Sequence, residues 1–255
     1  MEFVDFSIEG AVALVRLNRP PVNALSDQLS SELNEAFVQC QDSSIRAVVV
    51  TGQPHFAAGA DIKEFKATFD SGGKEASASS LRDAIAVLDG LAKPTIAAVH
   101  GYALGGGCEL SLGCDFRYIA DDSKIGQPEI LLGIIPGAGG TQRLQRVIGF
   151  QKTKELTYSG RHVGAEEALE IGYADKVLPV KDVLEVSLDD AAVWATKATV
   201  AIGAAKRALA DGRGVSLEEA LIVEREAFQE SFTTDDAVEG VNAFIDKREA
   251  HFKAS

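Results

Sequence analysis

The chain has 255 residues, of which 46% are hydrophobic and 25% are charged, a composition typical of a globular protein with one sizeable core. Its formal net charge of −13 argues against partners such as nucleic acid or an anionic membrane surface, because both are bound through clustered Lys and Arg. No apolar run approaches the ~18 residues that span a bilayer. The N-terminus lacks the features of a signal peptide, so a cytoplasmic location is expected.

Cysteine and histidine usage gives no sign of a metal centre. The three cysteines, Cys40, Cys108 and Cys114, form no CxxC pair, and the four histidines show no ligand spacing. Neither a disulfide framework nor a zinc site is predicted, which fits a reducing compartment.

Up to about residue 180 the pattern alternates between strands and helices, which predicts an α/β fold. The runs 45–52 and 94–103 are apolar throughout and are expected to be strands buried on both faces. Ser26 is placed to cap a helix that runs to about Gln41. The other predicted strands are 2–9, 11–18, 116–121 and 174–179, and the other predicted helices are 81–91, a short one at 108–115, 141–148, 151–158 and 165–171.

From about residue 182 the chain is predicted to be helical, with helices near 182–210, 217–231 and 235–252. Ser216 and Glu219 have the spacing of a capping box at the start of the second one. This change from alternating strands and helices to helices alone predicts a core at 1–195 and a C-terminal helical region at 196–255.

The glycine-rich segments match no nucleotide-binding motif, since neither a P-loop nor GxGxxG occurs. Gly105-Gly106-Gly107 instead lies between a buried strand and a helix, where unpaired N–H groups can hold an oxyanion. Glu109 follows Gly106 by three residues, so a carboxylate is expected beside those donors. The alternative is that Glu109 only complements the helix dipole.

Glu129 precedes the apolar run "ILLGIIPGAGG". A carboxyl group among apolar residues is desolvated, which raises its pKa and suits acid–base chemistry. The alternative is a surface turn glutamate. Asp61 and Asp115 are ambiguous in the same way, and Ser71-Gly72-Gly73 is interpreted as a surface loop.

Three blocks carry a resemblance to a known family: "HFAAGADIKEF" (55–65), the segment 97–144 with "GYALGGGCE" and "GQPE", and "SGRHVGAEEALEIGYADKVLP" (159–179). Together with both ends of the chain, they resemble the crotonase (enoyl-CoA hydratase/isomerase) family over nearly the whole length. The resemblance implies a spiral of ββα units, a C-terminal helical trimerisation region, and a homo-trimer or a homo-hexamer built as a dimer of trimers.

The same resemblance implies chemistry on an acyl-CoA thioester. Its oxyanion hole maps onto the N–H groups of Ala60 and Gly106. The two glutamates of family hydratases map onto Glu109, which would activate water, and Glu129, which would protonate the α-carbon. Both are present, so the resemblance implies hydration of trans-2-enoyl-CoA to 3-hydroxyacyl-CoA, in fatty-acid β-oxidation. No metal or redox cofactor is implied, because coenzyme A is part of the substrate.

Two other functions stay open. A Δ3,Δ2-enoyl-CoA isomerase would use the same oxyanion hole with mainly one glutamate, and some hydratase relatives bind RNA, although no basic stripe is plain here. The acyl pocket is expected near Leu104, Phe65 and Ile134, with a loop at 66–80 that shapes it, and Lys66 is a further candidate cation. The CoA contacts implied by the resemblance are Ala57, Ala58, Asp61, Ile62, Lys63, Gly137 and Lys253.

Overall fold

The computed structural model describes residues 1–73 and 79–255, and those ranges contain strands and helices in the alternation that the sequence predicts. The strands are β1 Val4–Glu9, β2 Val12–Leu17, β3 Ala47–Gly52, β4 Thr95–Val99, β5 Tyr102–Leu104, β6 Phe116–Ala120, β7 Lys124–Gly126, β8 Val163–Gly164 and β9 Lys176–Leu178. The α-helices are α1 Asp27–Gln39, α2 Ile62–Asp70, α3 Ser79–Asp89, α4 Gly106–Ser111, α5 Gly140–Ile148, α6 Phe150–Ser159, α7 Ala165–Glu170, α8 Val183–Ala195, α9 Thr199–Asp211, α10 Leu217–Phe232 and α11 Asp235–Asp246, and a 3-10 helix spans Pro128–Leu132.

The strands form two sheets. The larger has the order β1-β2-β3-β4-β6-β9, in which β1 is antiparallel to β2 and the remaining pairs are parallel. The smaller has the order β5-β7-β8. Two successive turns, β4-β5 followed by α4 and β6-β7 followed by the 3-10 helix, contribute one strand to each sheet and then a helix. This confirms the predicted α/β spiral of ββα units.

The single strand predicted for 94–103 is wrong, because the chain leaves one sheet for the other at Gly101. This residue has φ +54°, and a methyl group on it would lie 2.2 Å from Nδ1 of His55. Only glycine accepts both conditions at low cost. The break separates β4 from β5 and lets β5 run directly towards the glycine-rich segment.

Both faces of the large sheet are covered, which explains the apolar strands. Along β4, Ala97 and Val99 pack into a core with α1 and α3, while Ile96 and Ala98 pack on the other face against α8. The whole of β3 is buried. Strands buried on both faces read as continuous apolar runs, so this prediction is confirmed.

The C-terminal part differs from its prediction at two points. The helix expected over 182–210 is two helices, α8 and α9, separated by 196–198. The helix expected over 235–252 ends at Asp246, because Lys247 adopts a left-handed conformation and a Schellman motif closes the helix. The capping box of Ser216 and Glu219 is present as predicted. The division at 195/196 falls at the break between α8 and α9 and stays a prediction.

Arg46, just before β3, ties the C-terminal part to the core. Its guanidinium donates to Oγ1 of Thr199 at 2.9 Å, to the carbonyl of Lys197 at 2.6 Å and to the carbonyl of Phe252 at 2.9 Å. One side chain therefore fixes the α8–α9 junction and the C-terminal tail at once.

Replacing Arg46 by Met keeps an unbranched stem and removes these three hydrogen bonds. Bonds from a charged donor are among the stronger ones in proteins, so we expect the free energy of unfolding to fall by about 2–4 kcal/mol in urea denaturation. Arg82→Met, at an exposed position of α3, is the matched control and should stay within about 0.5 kcal/mol of the unaltered protein. Equal stability of the two variants would show that Arg46 is no anchor.

Candidate active site

The glycine run at 105–107 lets two backbone segments touch. A methyl group on Gly107 would lie 2.1 Å from the carbonyl oxygen of Ala57, a contact that no side chain can make. Gly106 is the first residue of α4, which begins two residues before the predicted start at Cys108, and its N–H has no partner within that short helix. The start of α4 therefore lies directly against the segment 55–61.

That segment is held from both sides. On one side, the N–H of Ala57 donates to Tyr102 at 2.9 Å, and its carbonyl accepts from Leu104 at 3.0 Å. On the other, Leu25 donates to Gly59 at 2.8 Å and accepts from Asp61 at 3.0 Å. These bonds leave Ala60 between two anchored residues.

Ala60 and Gly106 are adjacent as a result. A methyl group on Gly106 would lie 3.8 Å from the nitrogen of Ala60. Among residues 1–73 and 79–255, neither N–H donates a hydrogen bond to a protein atom. Two neighbouring free donors are the arrangement that binds an oxyanion. The structure thus brings together the two residues that the family resemblance assigned to this role.

Glu109 lies in the first turn of α4 with only 3% of its surface exposed. Its Oε1 accepts hydrogen bonds from the N–H groups of Ala138 and Gly140, each at 2.7 Å. Burial raises the pKa of this carboxyl, and the two N–H donors and the positive charge of Arg143 oppose that rise. A glutamate that only complemented the helix dipole would stay in solvent, so this alternative does not describe Glu109.

Glu129 is the second residue of the 3-10 helix. Burial, aided by the negative charge of Glu109, raises its pKa to about 7, the direction that its apolar neighbours predicted. A methyl group on Gly105 would lie 2.9 Å from Oε1 of Glu129, so this carboxyl sits over the start of α4. It therefore faces the segment that carries Gly106 and Glu109.

Gln127 is a site residue that the sequence did not reveal. It is fully buried, and in the amide orientation that satisfies both groups its nitrogen donates to the two carboxylate oxygens of Glu129 at 3.0 and 3.1 Å. A polar side chain two positions before the acid, in "GQPE", was the available signal. Its contact with Glu129 depends on the backbone turn at Pro128, which the sequence alone does not show.

Asp61 does not face the site as a free carboxylate. It pairs with Arg19 at 2.6 Å and accepts from the N–H of Lys63 at 3.1 Å, which caps α2. Burial raises the pKa of Asp61, but the bonds from Arg19 and Lys63 outweigh it and leave the pKa lowered. Its role as a CoA contact stays a prediction, and its visible role is to anchor the segment that carries Ala60.

The other residues predicted to bind CoA lie in the segment 55–61, on α2 and in the loop before α5. Ala58 donates to Val22 at 3.0 Å, and Ile62 and Lys63 are exposed at the start of α2. Lys66 is exposed and paired with Asp70 at 2.6 Å, and Gly137 is exposed beside Ala138.

Lys253 follows the last helix, because α11 ends at Asp246. It lies in the tail, where its N–H donates to Asp236 at 2.6 Å. This bond fastens the tail to the start of α11, and the contact of Lys253 with CoA stays a prediction.

The predicted acyl pocket is described in part. Leu104 is buried next to Gly105, Phe65 is half-buried on α2, and Ile134 is 38% exposed and donates to the carbonyl of Glu129 at 3.3 Å. The loop expected at 66–80 begins as α2 and continues through the exposed turn at 71–73. Its remainder, 74–78, lies outside the described residues.

A separate groove of about 1040 Å³ runs beside α8, lined by Pro54, His100 and Leu184 among others. Neither glutamate borders it. The site is therefore assigned from the hydrogen-bonding groups around α4 rather than from the size of this groove.

The described ranges, 1–73 and 79–255, hold neither a metal-binding cluster nor a membrane span. They contain no group of three or more His, Cys, Asp or Glu side chains placed to hold a metal ion. None of their helices combines the length and apolar character needed to cross a membrane.

Two free N–H donors beside one buried and one half-buried carboxyl group define an enzyme that polarises a carbonyl group and moves protons next to it. The comparisons with known proteins give this class its family. The family model described as enoyl-CoA hydratase/isomerase matches residues 7–255. The chain belongs to this family, so the identification made from the sequence is confirmed.

Several relatives match nearly the full chain. A probable mitochondrial enoyl-CoA hydratase of Dictyostelium discoideum is 43% identical over 94% of this chain and 87% of its own length. The short-chain-enoyl-CoA hydratase of Clostridium acetobutylicum is 39% identical over 94% of this chain and 93% of its own. The crystal structure of an enoyl-CoA hydratase from Bacillus anthracis matches with a TM-score of 0.92 and 37% identity, over 99% of this chain and 100% of that one.

The raised pKa of Glu129 has a consequence for stability. A carboxyl group whose pKa is raised to about 7 stabilises the fold at low pH, and this contribution is lost as pH rises through 7. The side chain of Glu129→Gln is neutral at every pH. At pH 8 the free energy of unfolding of this variant in urea should therefore exceed that of the unaltered protein by roughly 1–3 kcal/mol, after allowance for the partial exposure of residue 129. The advantage should shrink towards pH 5.

Glu218→Gln is the control, because it removes one carboxylate charge from an exposed position of α10. A pH-independent difference between Glu129→Gln and the unaltered protein would contradict the proposed burial of this acid.

Proposed function

We propose that this protein is an enoyl-CoA hydratase, which adds water reversibly to the double bond of trans-2-enoyl-CoA and forms 3-hydroxyacyl-CoA. The observation that carries the proposal is the pair of a buried Glu109 and a half-buried Glu129 at the start of α4, where two backbone donors are free. Fatty-acid β-oxidation is the physiological setting that fits this reaction best.

The oxyanion hole lowers the activation barrier to addition. The N–H groups of Ala60 and Gly106 donate to the thioester oxygen, which polarises the conjugated double bond and stabilises an enolate-like transition state. Loss of one such donor typically costs about 10²–10³-fold in rate. Because both donors are backbone groups held by the segments 55–61 and 105–107, they need no reorganisation during the reaction.

The two glutamates differ in their surroundings, and this difference fits their roles. The anion of Glu109 is stabilised by two N–H donors, so it takes a proton from water as the oxygen attacks C3. Glu129 keeps its proton up to about pH 7 and delivers it to C2. The pair holds one proton between them, so their titrations are coupled.

The chemistry calls for no metal or redox cofactor, since the conjugated thioester is itself the electron acceptor. Coenzyme A enters as part of the substrate. Its phosphates need local cations in a protein of net charge −13. Lys63 is the favoured cation, because Lys66 is already paired with Asp70. Ala57, Ala58, Ile62, Gly137 and Lys253 complete the proposed CoA contacts.

A Δ3,Δ2-enoyl-CoA isomerase is the second candidate, because it would use the same oxyanion hole. Isomerisation shifts one proton within the substrate and needs mainly one carboxylate. The burial of Glu109 and its two hydrogen bonds are hard to explain unless it acts on water, and this favours the hydratase. An RNA-binding role has no comparable support, given the net charge of −13.

We also propose that the protein assembles as a homo-trimer or as a dimer of trimers through its C-terminal helices. Many large apolar side chains are exposed on the C-terminal helices, which is unusual for a protein that stays monomeric. Phe244 on α11 is 86% exposed. The others on α10 and α11 include Leu221, Phe228, Phe232, Val238, Val241 and Ile245.

Phe244→Glu should weaken this association, because it places a charge in an apolar interface. Sedimentation velocity is expected to show smaller species for Phe244→Glu than for the unaltered protein at the same concentration. Ile8→Glu, at an exposed apolar position on β1, is the matched control and should leave the assembly unchanged. A monomeric unaltered protein would refute the proposed assembly.

A cytoplasmic location is proposed on the three buried, unpaired cysteines, which suit a reducing compartment. One of the relatives is a mitochondrial protein. Partners other than the substrate and further copies of the chain are not proposed.

The hydratase proposal is tested by the loss of enoyl-thioester absorbance from crotonyl-CoA. We expect rapid loss with the unaltered protein and a decrease of about 10²–10⁴-fold in kcat for Glu109→Gln and for Glu129→Gln. Glu218→Gln is again the matched control and should retain full activity. Full activity in Glu109→Gln would move the assignment to the isomerase, and no turnover of any enoyl chain length by the unaltered protein would refute both reactions.

A further inference from the structure

Arg143 lies in the first turn of α5, directly after the loop that contacts Glu109. Its N–H donates to the carbonyl of Gly139 at 2.8 Å, and a methyl group on Gly139 would lie 3.1 Å from its Nε. The arginine side chain therefore folds back along Gly139. Its Nη1 pairs with Oδ2 of Asp89, at the end of α3, at 2.6 Å.

This packing sets the side chain of Arg143 against the loop that holds the carboxylate of Glu109. Gly139 lies between Ala138 and Gly140, whose N–H groups both donate to Oε1 of Glu109. A side chain that pins Gly139 limits the movement of both donors. Asp89 in turn fixes the guanidinium, so α3 and α5 are joined across the loop.

Arg143 also determines the balance of charge around Glu109. The charged and titratable groups that face Glu109 are Glu129 from the 3-10 helix, Arg143 from α5 and the thiol of Cys108 on its own helix. Burial raises the pKa of Cys108 to about 12, so the thiol is neutral near pH 7. Of these groups, Arg143 is the one that favours the anion of Glu109.

We propose that Arg143, aligned by Asp89, is a positioning residue that keeps the negative charge of the shared-proton pair on Glu109 and leaves the proton on Glu129. The proposal rests on the hydratase function, and it explains why two carboxyl groups at one site take different roles. Arg143 acts on Glu109 through Gly139 and through its charge.

Four variants separate charge from packing. Arg143→Met removes the charge and keeps a long side chain, Arg143→Lys restores the charge, and Asp89→Asn frees the guanidinium. Arg146→Met makes the same change one turn further along α5, where the side chain is exposed and bonds to the carbonyl of Gln142. It is the matched control.

The pH profile of kcat/KM for crotonyl-CoA is the first measurement. Without the cation, Glu109 ionises less readily, so the acid limb for Arg143→Met should move to higher pH. We expect kcat/KM of Arg143→Met to fall about tenfold at pH 6 and by less at pH 8. On the acid limb, a pKa of the base that is higher by about one pH unit lowers its ionised fraction about tenfold. Arg143→Lys should recover most of the activity, Asp89→Asn should fall between the two, and Arg146→Met should match the unaltered protein.

A second measurement does not depend on turnover. The infrared band of the protonated Glu109 carboxyl, identified by its absence in Glu109→Gln, can be titrated in the free enzyme. It should persist to higher pH in Arg143→Met than in Arg146→Met. A displaced titration of this band in a protein without hydratase activity would refute the proposed function and leave the charge effect of Arg143 standing.

Other outcomes overturn the inference itself. If the band titrates identically in Arg143→Met and Arg146→Met while the unaltered protein hydrates crotonyl-CoA, Arg143 does not act on Glu109. If Arg143→Met and Arg143→Lys lose activity equally at every pH and melt at the same lowered temperature, the arginine is only structural.

Discussion

The contact between the start of α4 and the segment 55–61 is the constraint on which the site depends. It brings Gly107 against the carbonyl of Ala57, at a distance that excludes any side chain. Because these two backbones touch, the N–H of Ala60 lies beside that of Gly106, and no hydrogen bond within the described chain occupies either donor. The large sheet, the break at Gly101 and the ion pair of Asp61 all serve to hold these two segments in place. Catalysis by preorganised donors requires this rigidity, since a donor that must first reorient gives up part of its advantage.

Burying two carboxyl groups at the same place opposes folding, and the protein reduces this cost unequally. Glu109 receives two backbone N–H donors and the nearby charge of Arg143, whereas Glu129 receives the amide of Gln127 and keeps a pKa of about 7. The negative charge of Glu109 raises the pKa of Glu129, so the proposed mechanism gives the pair a single proton near neutral pH. In the proposed mechanism the environment, rather than the residue type, decides which glutamate acts as base and which as acid.

The sequence was sufficient for those elements whose signal is local. Runs of apolar, β-branched residues located β3 and β4, and the capping box at Ser216 located the start of α10. Other features depend on partners far along the chain. Gly101, where the strand breaks, packs against His55, and the junction between α8 and α9 is held by Arg46.

The candidate site shows the same division. Ala60, Gly106, Glu109 and Glu129 followed from motifs of the family, and the structure brings them together. Gln127 was missed, although it stands two residues from Glu129, because a buried amide and an exposed one look alike in a sequence. The bonds from Ala138 and Gly140 to Glu109 join residues 29 and 31 positions apart. In the proposed mechanism these bonds also distinguish hydration from isomerisation. Both reactions need the oxyanion hole, but only hydration needs a second buried carboxylate kept ionised for water, and the loop before α5 supplies the donors that keep it so.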